Sequence, residues 1–95
     1  MTMCLTIPGI VEQEDLHSIQ RESDRSFQIV LDAGTTATEL FQAAGSGRRY
    51  ELMLLTIEPT MILALDDVYV AQASFSSGEP QLMSATLDAG AVRVA

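Results

Sequence analysis

The single histidine, His17, lies close to Glu14 and Asp15 in a stretch that also holds Glu12. These are the donor types of acid–base catalysis or of a hard-cation site. A calcium ion takes roughly six to eight oxygens, so three carboxylates on one polar run read more simply as a solvated loop. Asp66 and Asp67 are adjacent. Neighbouring side chains of a strand point to opposite faces, so this pair does not converge on one site and reads as a β-bulge with its solvent face. A hydrolytic triad needs a serine on a strained elbow, but no G-x-S-x-G occurs and no second histidine is present. Gly45-Ser46-Gly47 lacks the lysine of a phosphate loop and follows a helical stretch instead of opening one, so it reads as a helix stop.

Cys4 is the lone cysteine, which excludes an intramolecular disulfide and a zinc site built on several thiolates. With no cation nearby in sequence to activate a thiolate, it reads as a small buried hydrophobe. Met53, Met61 and Met83 read as core filling. No catalytic constellation emerges, and the expectation is a protein that is not an enzyme, with no cofactor and no metal.

The elements that hold these residues are mostly strands. Residues 3–7 form a first strand ended by Pro8 and Gly9, and 16–20 a short second one, with Leu16, Ser18 and Gln20 on one face. Phe27, Ile29 and Leu31 alternate with Gln28, Val30 and Asp32 in a half-buried third strand. Ala37, Leu40, Phe41 and Ala44 repeat at helical spacing and predict one helix over about 35–45, its face buried. Thr36 and Glu39 match the spacing of a capping box, and Gly45 is the expected left-handed stop. Residues 50–57 read as a strand buried on both faces, with a turn at Glu58 and Pro59.

Two long strands change apolar parity midway. Over 60–71, Met61, Leu63 and Leu65 give way to Val68 and Val70; over 83–94, Met83, Ala85, Leu87 and Ala89 give way to Val92 and Val94, with Gly90 between. An extra residue at each change, a bulge, would return both sets to one side of the sheet. The expected fold is mainly β: a small β-barrel or two-sheet β-sandwich of about seven strands with one α-helix, in a single domain over 1–95.

The chain has 95 residues and carries 13 acidic against 5 basic side chains, a formal charge of −8. Nucleic acid is bound by neutralising phosphates, and five arginines, of which only Arg48 and Arg49 are adjacent, build no basic face. No apolar run approaches the roughly 20 residues that span a bilayer, and no secretory leader opens the sequence, so cytoplasmic residence without membrane insertion is expected. Small β-structures leave backbone N–H and C=O groups unpaired at their edges. Identical neighbours are expected to close those rims, with the acidic surface kept out of the contact or matched by Arg48, Arg49 and Arg93.

Several stretches resemble, in order, the tube protein of the bacterial type VI secretion system, haemolysin-coregulated protein or Hcp. Leu5-Thr6-Ile7-Pro8-Gly9-Ile10 with Asp15 and His17 looks like that family's first strand and turn. Asp32-Ala33-Gly34-Thr35-Thr36 through Gly47 resembles its single helix. Leu65-Asp66-Asp67-Val68-Tyr69-Val70 and Leu87-Asp88-Ala89-Gly90-Ala91-Val92-Arg93-Val94 are similar to its later strands. Hcp proteins are usually longer, with an extended loop between the second and third strands and more strand after the position of Val94. The resemblance implies a homo-oligomeric ring of six subunits with a channel for effector proteins, a secretion spike as partner, and export by the contractile machine without a signal peptide. A second resemblance competes: Met3-Cys4-Leu5-Thr6-Ile7-Pro8-Gly9 looks like the start of HypC-type hydrogenase maturation chaperones, small β-barrels that use an N-terminal cysteine to deliver iron.

Overall fold

In the computed structural model, which describes residues 3–58 and 60–95, six strands and one helix follow one another as β1 (Cys4–Ile7), β2 (Val11–Arg21), β3 (Ser26–Asp32), α1 (Thr35–Ser46), β4 (Arg49–Glu58), β5 (Met61–Phe75) and β6 (Leu82–Val94). All neighbours are antiparallel, and the sheet closes on itself in the order β1-β2-β3-β6-β5-β4. Closure depends on β1, which pairs with β2 on one side and β4 on the other. Of the two architectures expected, the barrel is the one formed. Among the described residues there are six strands where about seven were expected. Pro59, half of the expected turn after β4, lies outside the described residues.

The period of two does its work in β3: Phe27, Ile29 and Leu31 are buried, and the residues between them reach the outer surface. They join Leu5, Ile7, Leu55, Leu65, Met83 and Leu87 in one apolar cluster that fills the barrel. β2 runs far beyond the short strand expected. His17 is an extra residue between the pairs Leu16–Leu31 and Ser18–Val30. That bulge swaps the faces of the strand, so Leu16 and then Ile19 turn to the core, and the predicted Leu16–Ser18–Gln20 face does not exist.

The kink at Asp66 and Asp67 is not the predicted insertion. Leu52–Asp66 and Tyr50–Val68 on one side, and Asp66–Ala91 and Val68–Ala89 on the other, keep equal spacing. Instead Asp67 takes a left-handed conformation at φ 53°, tolerable for Asp, and β4 and β6 change faces in step. Leu63, Leu65, Val68 and Val70 therefore all reach the core, as the parity argument required. Gly90 faces this kink: a Cβ there would lie 3.2 Å from Asp67 Cβ and 3.4 Å from the Asp66 carbonyl oxygen. The inserted residue of β5 is Ala71, between Val70–Leu87 and Gln72–Thr86, and it brings Ala73 and Phe75 back against the core.

Helix α1 packs on β5 and β6. Its buried residues are Thr36, Ala37, Leu40 and Ala43, a face rotated from the predicted one. Phe41, expected inside, is 47% exposed on the flank, its ring 5.2 Å from that of Phe75. The predicted capping box is absent because Thr36 faces inward; Gly34 is the N-cap, without a side-chain cap bond. The left-handed stop is Gly47 at φ 70°, not Gly45, and its N–H donates to the Ala43 carbonyl at 3.0 Å. The helix runs two residues past the expected stop before the chain reverses into β4.

Candidate assembly surface

The polar residues singled out from sequence do not converge. The bulge that displaces His17 brings its Nε2 to 2.8 Å from Asp32 Oδ1, an exposed pair at the end of β3. Glu14 and Asp15 belong instead to the β1 ladder, opposite Leu5 and Cys4. Glu12 lies beside Thr6, whose Oγ1 donates to its carbonyl at 3.0 Å. Among the described residues no group of three or more His, Cys, Asp or Glu is placed to hold a metal ion.

Cys4 is 5% exposed, yet it is not part of the core cluster. Leu5 and Ile7 point inward, so Cys4 points outward, where Gln13 Nε2 lies 3.3 Å from its sulfur and Asp15 Oδ1 lies 3.6 Å away. It is buried under polar side chains. A mid-ladder thiol between Asp15 and Thr56 does not suit the exposed N-terminal cysteine that the chaperone resemblance requires.

The tightest polar cluster was not foreseen. Glu39 Oε2 accepts from Tyr50 Oη at 2.6 Å and from Arg48 Nη1 at 2.8 Å, and the Arg48 guanidinium lies 5.0 Å from the Tyr50 ring centre. Burial, then the Glu39 hydrogen bond and charge, push the Tyr50 hydroxyl up to about 12. The three residues tie α1 to the start of β4. Glu39, assigned in sequence to a capping role, was the available signal; its true partners lie beyond the turn that follows the helix.

A second polar group lies on the outer face of β4, β5 and β6. Arg93 donates to both Asp66 oxygens at 2.8 and 3.1 Å, and this hydrogen bond holds the Asp66 carboxyl below its ordinary range. Arg49 Nη1 lies 3.6 Å from Asp67 Oδ1, and its guanidinium is 4.9 Å from the Tyr69 ring centre. A hydrogen bond to Asp88, followed by its charge, raises the Tyr69 hydroxyl. Two of the three arginines expected at a subunit contact are thus on this sheet.

Unpaired strand edges were expected, and the closed barrel narrows where they occur. Among the described residues, unpaired backbone remains in overhangs, and two of them flank β5. β1 reaches only Leu54–Thr56 on β4, so 49–53 has no ladder partner on that side. β3 reaches only Leu82–Asp88 on β6, so 91–94 has none on its side.

No family model matches the sequence, and neither does any curated protein. Solved structures do match in fold. Hcp2 from Salmonella typhimurium superposes with a TM-score of 0.82 at 15% identity, over 100% of this chain and 93% of that one. Hcp1 from Salmonella typhimurium gives 0.79 at 17% identity, over 96% and 82%. A type VI secretion system effector from Yersinia pestis gives 0.78 at 10% identity, over 98% and 96%. The closed barrel with one helix is the Hcp-like fold. The expected shortfall in length is small against these chains. A short connection, residues 22–25, joins β2 to β3, in place of the extended loop that the resemblance assigns to the family and that this chain was expected to lack.

Proposed function

We propose that this chain is a structural, non-catalytic subunit of a homo-oligomeric ring resembling the type VI secretion tube, with a central channel for effector passage. The observation that carries the reading is the likeness to Hcp2, which runs over the whole chain and leaves little of either protein unmatched. Six copies form the ring, with secretion spike and effector proteins as further partners. Neither nucleic acid nor membrane insertion has a part in it: the charge is −8, and among the described residues no helix is long and apolar enough to cross a bilayer. The subunit is made in the cytoplasm and exported by the contractile machine. The chaperone alternative is dropped, since the likeness to Hcp2 runs over the whole chain and Cys4 is covered.

Size exclusion with light scattering tests the reading. The expected mass is six times the 10.3 kDa of one chain, with rings visible by negative stain. A strictly monomeric protein at high concentration would overturn it.

A further inference from the structure

Helix α1 begins without the usual means of satisfying its first turn. The Thr38 N–H donates to the Gly34 carbonyl at 2.9 Å, and among the described residues no cap or turn bond takes the N–H groups of Thr35, Thr36 and Ala37. No acidic residue lies in that turn. Gly34, the N-cap, is extended at φ 173°, a conformation open to any residue, and a Cβ there would meet nothing within 4 Å. An aspartate or serine would therefore fit and would cover the amides with its own oxygen. The chain leaves them bare.

Thr36 supplies an independent observation. It is 8% exposed, and its hydroxyl has no hydrogen-bond partner among the described residues. Among those residues no side-chain oxygen is both sealed from solvent and unpaired, so this hydroxyl opens onto the recess of about 300 Å³ that Thr36 lines. The recess lies between the start of α1 and the start of β2, and Ile10, Val11, Glu12, Thr35 and Glu39 also line it. Oε2 of Glu39 is taken by Tyr50 and Arg48. Glu12 is exposed; Thr6 holds its carbonyl, and its carboxylate has no ion pair among the described residues.

We infer that this recess binds a small zwitterion of the α-amino-acid class. Its carboxylate lies on the bare amides and the Thr36 hydroxyl, its ammonium on Glu12, and its side chain against Ile10 and Val11. A helix start favours a carboxylate through its free N–H groups and its dipole. A simple anion is opposed by the two glutamates of the walls and by the formal charge of −8, whereas a zwitterion brings no net charge and uses both ends of the recess. The volume is at the low end for ligand sites, which limits the occupant to amino-acid size. Ile10 is 46% exposed and gives an aliphatic side chain apolar surface to cover.

Amide NMR of the full chain, titrated with L-leucine, tests the site. The Thr35, Thr36 and Ala37 resonances should move to saturation with a Kd on the order of 1 mM. N-acetyl-leucine, which lacks the ammonium, and leucinamide, which lacks the carboxylate, should each bind about tenfold more weakly. Glu12→Gln, a surface change, should weaken leucine by about the same factor. Gly34→Asp should abolish binding while raising the melting temperature by roughly 2–4 °C, because the new side chain caps the same amides. Leucine that moves none of the three resonances overturns the site. Either blocked analogue binding as tightly as leucine, or leucine binding unchanged in Gly34→Asp, overturns the zwitterion assignment. All these readouts are independent of whether the chain forms a ring.

Discussion

β6 contains two regions with opposite circumstances. From Leu82 to Asp88 it lies between β3 and β5, and every second residue, Met83, Ala85 and Leu87, is buried. After Gly90 it has β5 alone, and Val94 is largely exposed. The residue types on the two sides of Gly90 are nearly alike in hydrophobicity. What differs is the number of neighbouring strands, so the lesson is that barrel closure is a property of rows, and one strand can belong to both a finished core and an unfinished sheet.

The largest expected effect probes the finished region. Leu87→Ala removes a fully buried side chain from the core and should lower unfolding stability by about 2–5 kcal/mol, as should Leu40→Ala in the helix face that packs with it. Val94→Ala, at a largely exposed position, should change stability by less than about 0.5 kcal/mol. Urea titrations of the variants make this comparison, and equal losses at Leu87 and Val94 would erase it.

Next comes the hinge between the regions. Gly90→Val places a Cβ where Asp67 Cβ and the Asp66 carbonyl already crowd, and should cost on the order of 1–3 kcal/mol. Gly90→Val combined with Asp67→Gly should recover part of that loss, because the contact lies between the two positions. No recovery would place the strain elsewhere.

A smaller effect separates the polar clusters. Tyr50 is raised to about 12 in the folded protein, above its ordinary value of 10.0. The unfolded chain therefore loses its proton first, and the stability that Tyr50 contributes is complete below pH 10 and falls as pH rises from 10 toward 12. Denaturant titrations over that range should show the slope, and Tyr50→Phe should flatten it. The smallest effect belongs to Asp66 and Arg93. Asp66 lies below its ordinary value, so its contribution is present above that value and is lost as pH falls past it. Arg93→Ala should remove this acid dependence while barely altering stability near neutrality, since the pair is solvent-screened.

Much of the fold was legible in the chain itself. Strand alternation at Phe27, Ile29 and Leu31, the single helix after Gly34, and the two parity changes are local patterns, readable because one face of each element must leave water. The resemblance to Hcp rested on those patterns in order. Less of the surface was legible. The sequence neighbours of His17 and of Glu39 suggested a carboxylate cluster and a capping box, whereas a bulge and an inward-turned Thr36 sent both side chains to partners many residues away.

By itself, then, the order of residues determined which elements form, which faces are apolar and that the molecule carries excess negative charge. Only the tertiary structure decided that β1 seals the barrel, that β4, β5 and β6 kink together through Asp67 and Gly90, and that, among the described residues, β4 and β6 each overhang their outer neighbours beside β5. The physical reason is the range of the forces. Burial periodicity is written every two or three residues, while strand register and closure depend on hydrogen bonds between segments that the chain brings together only after it has folded.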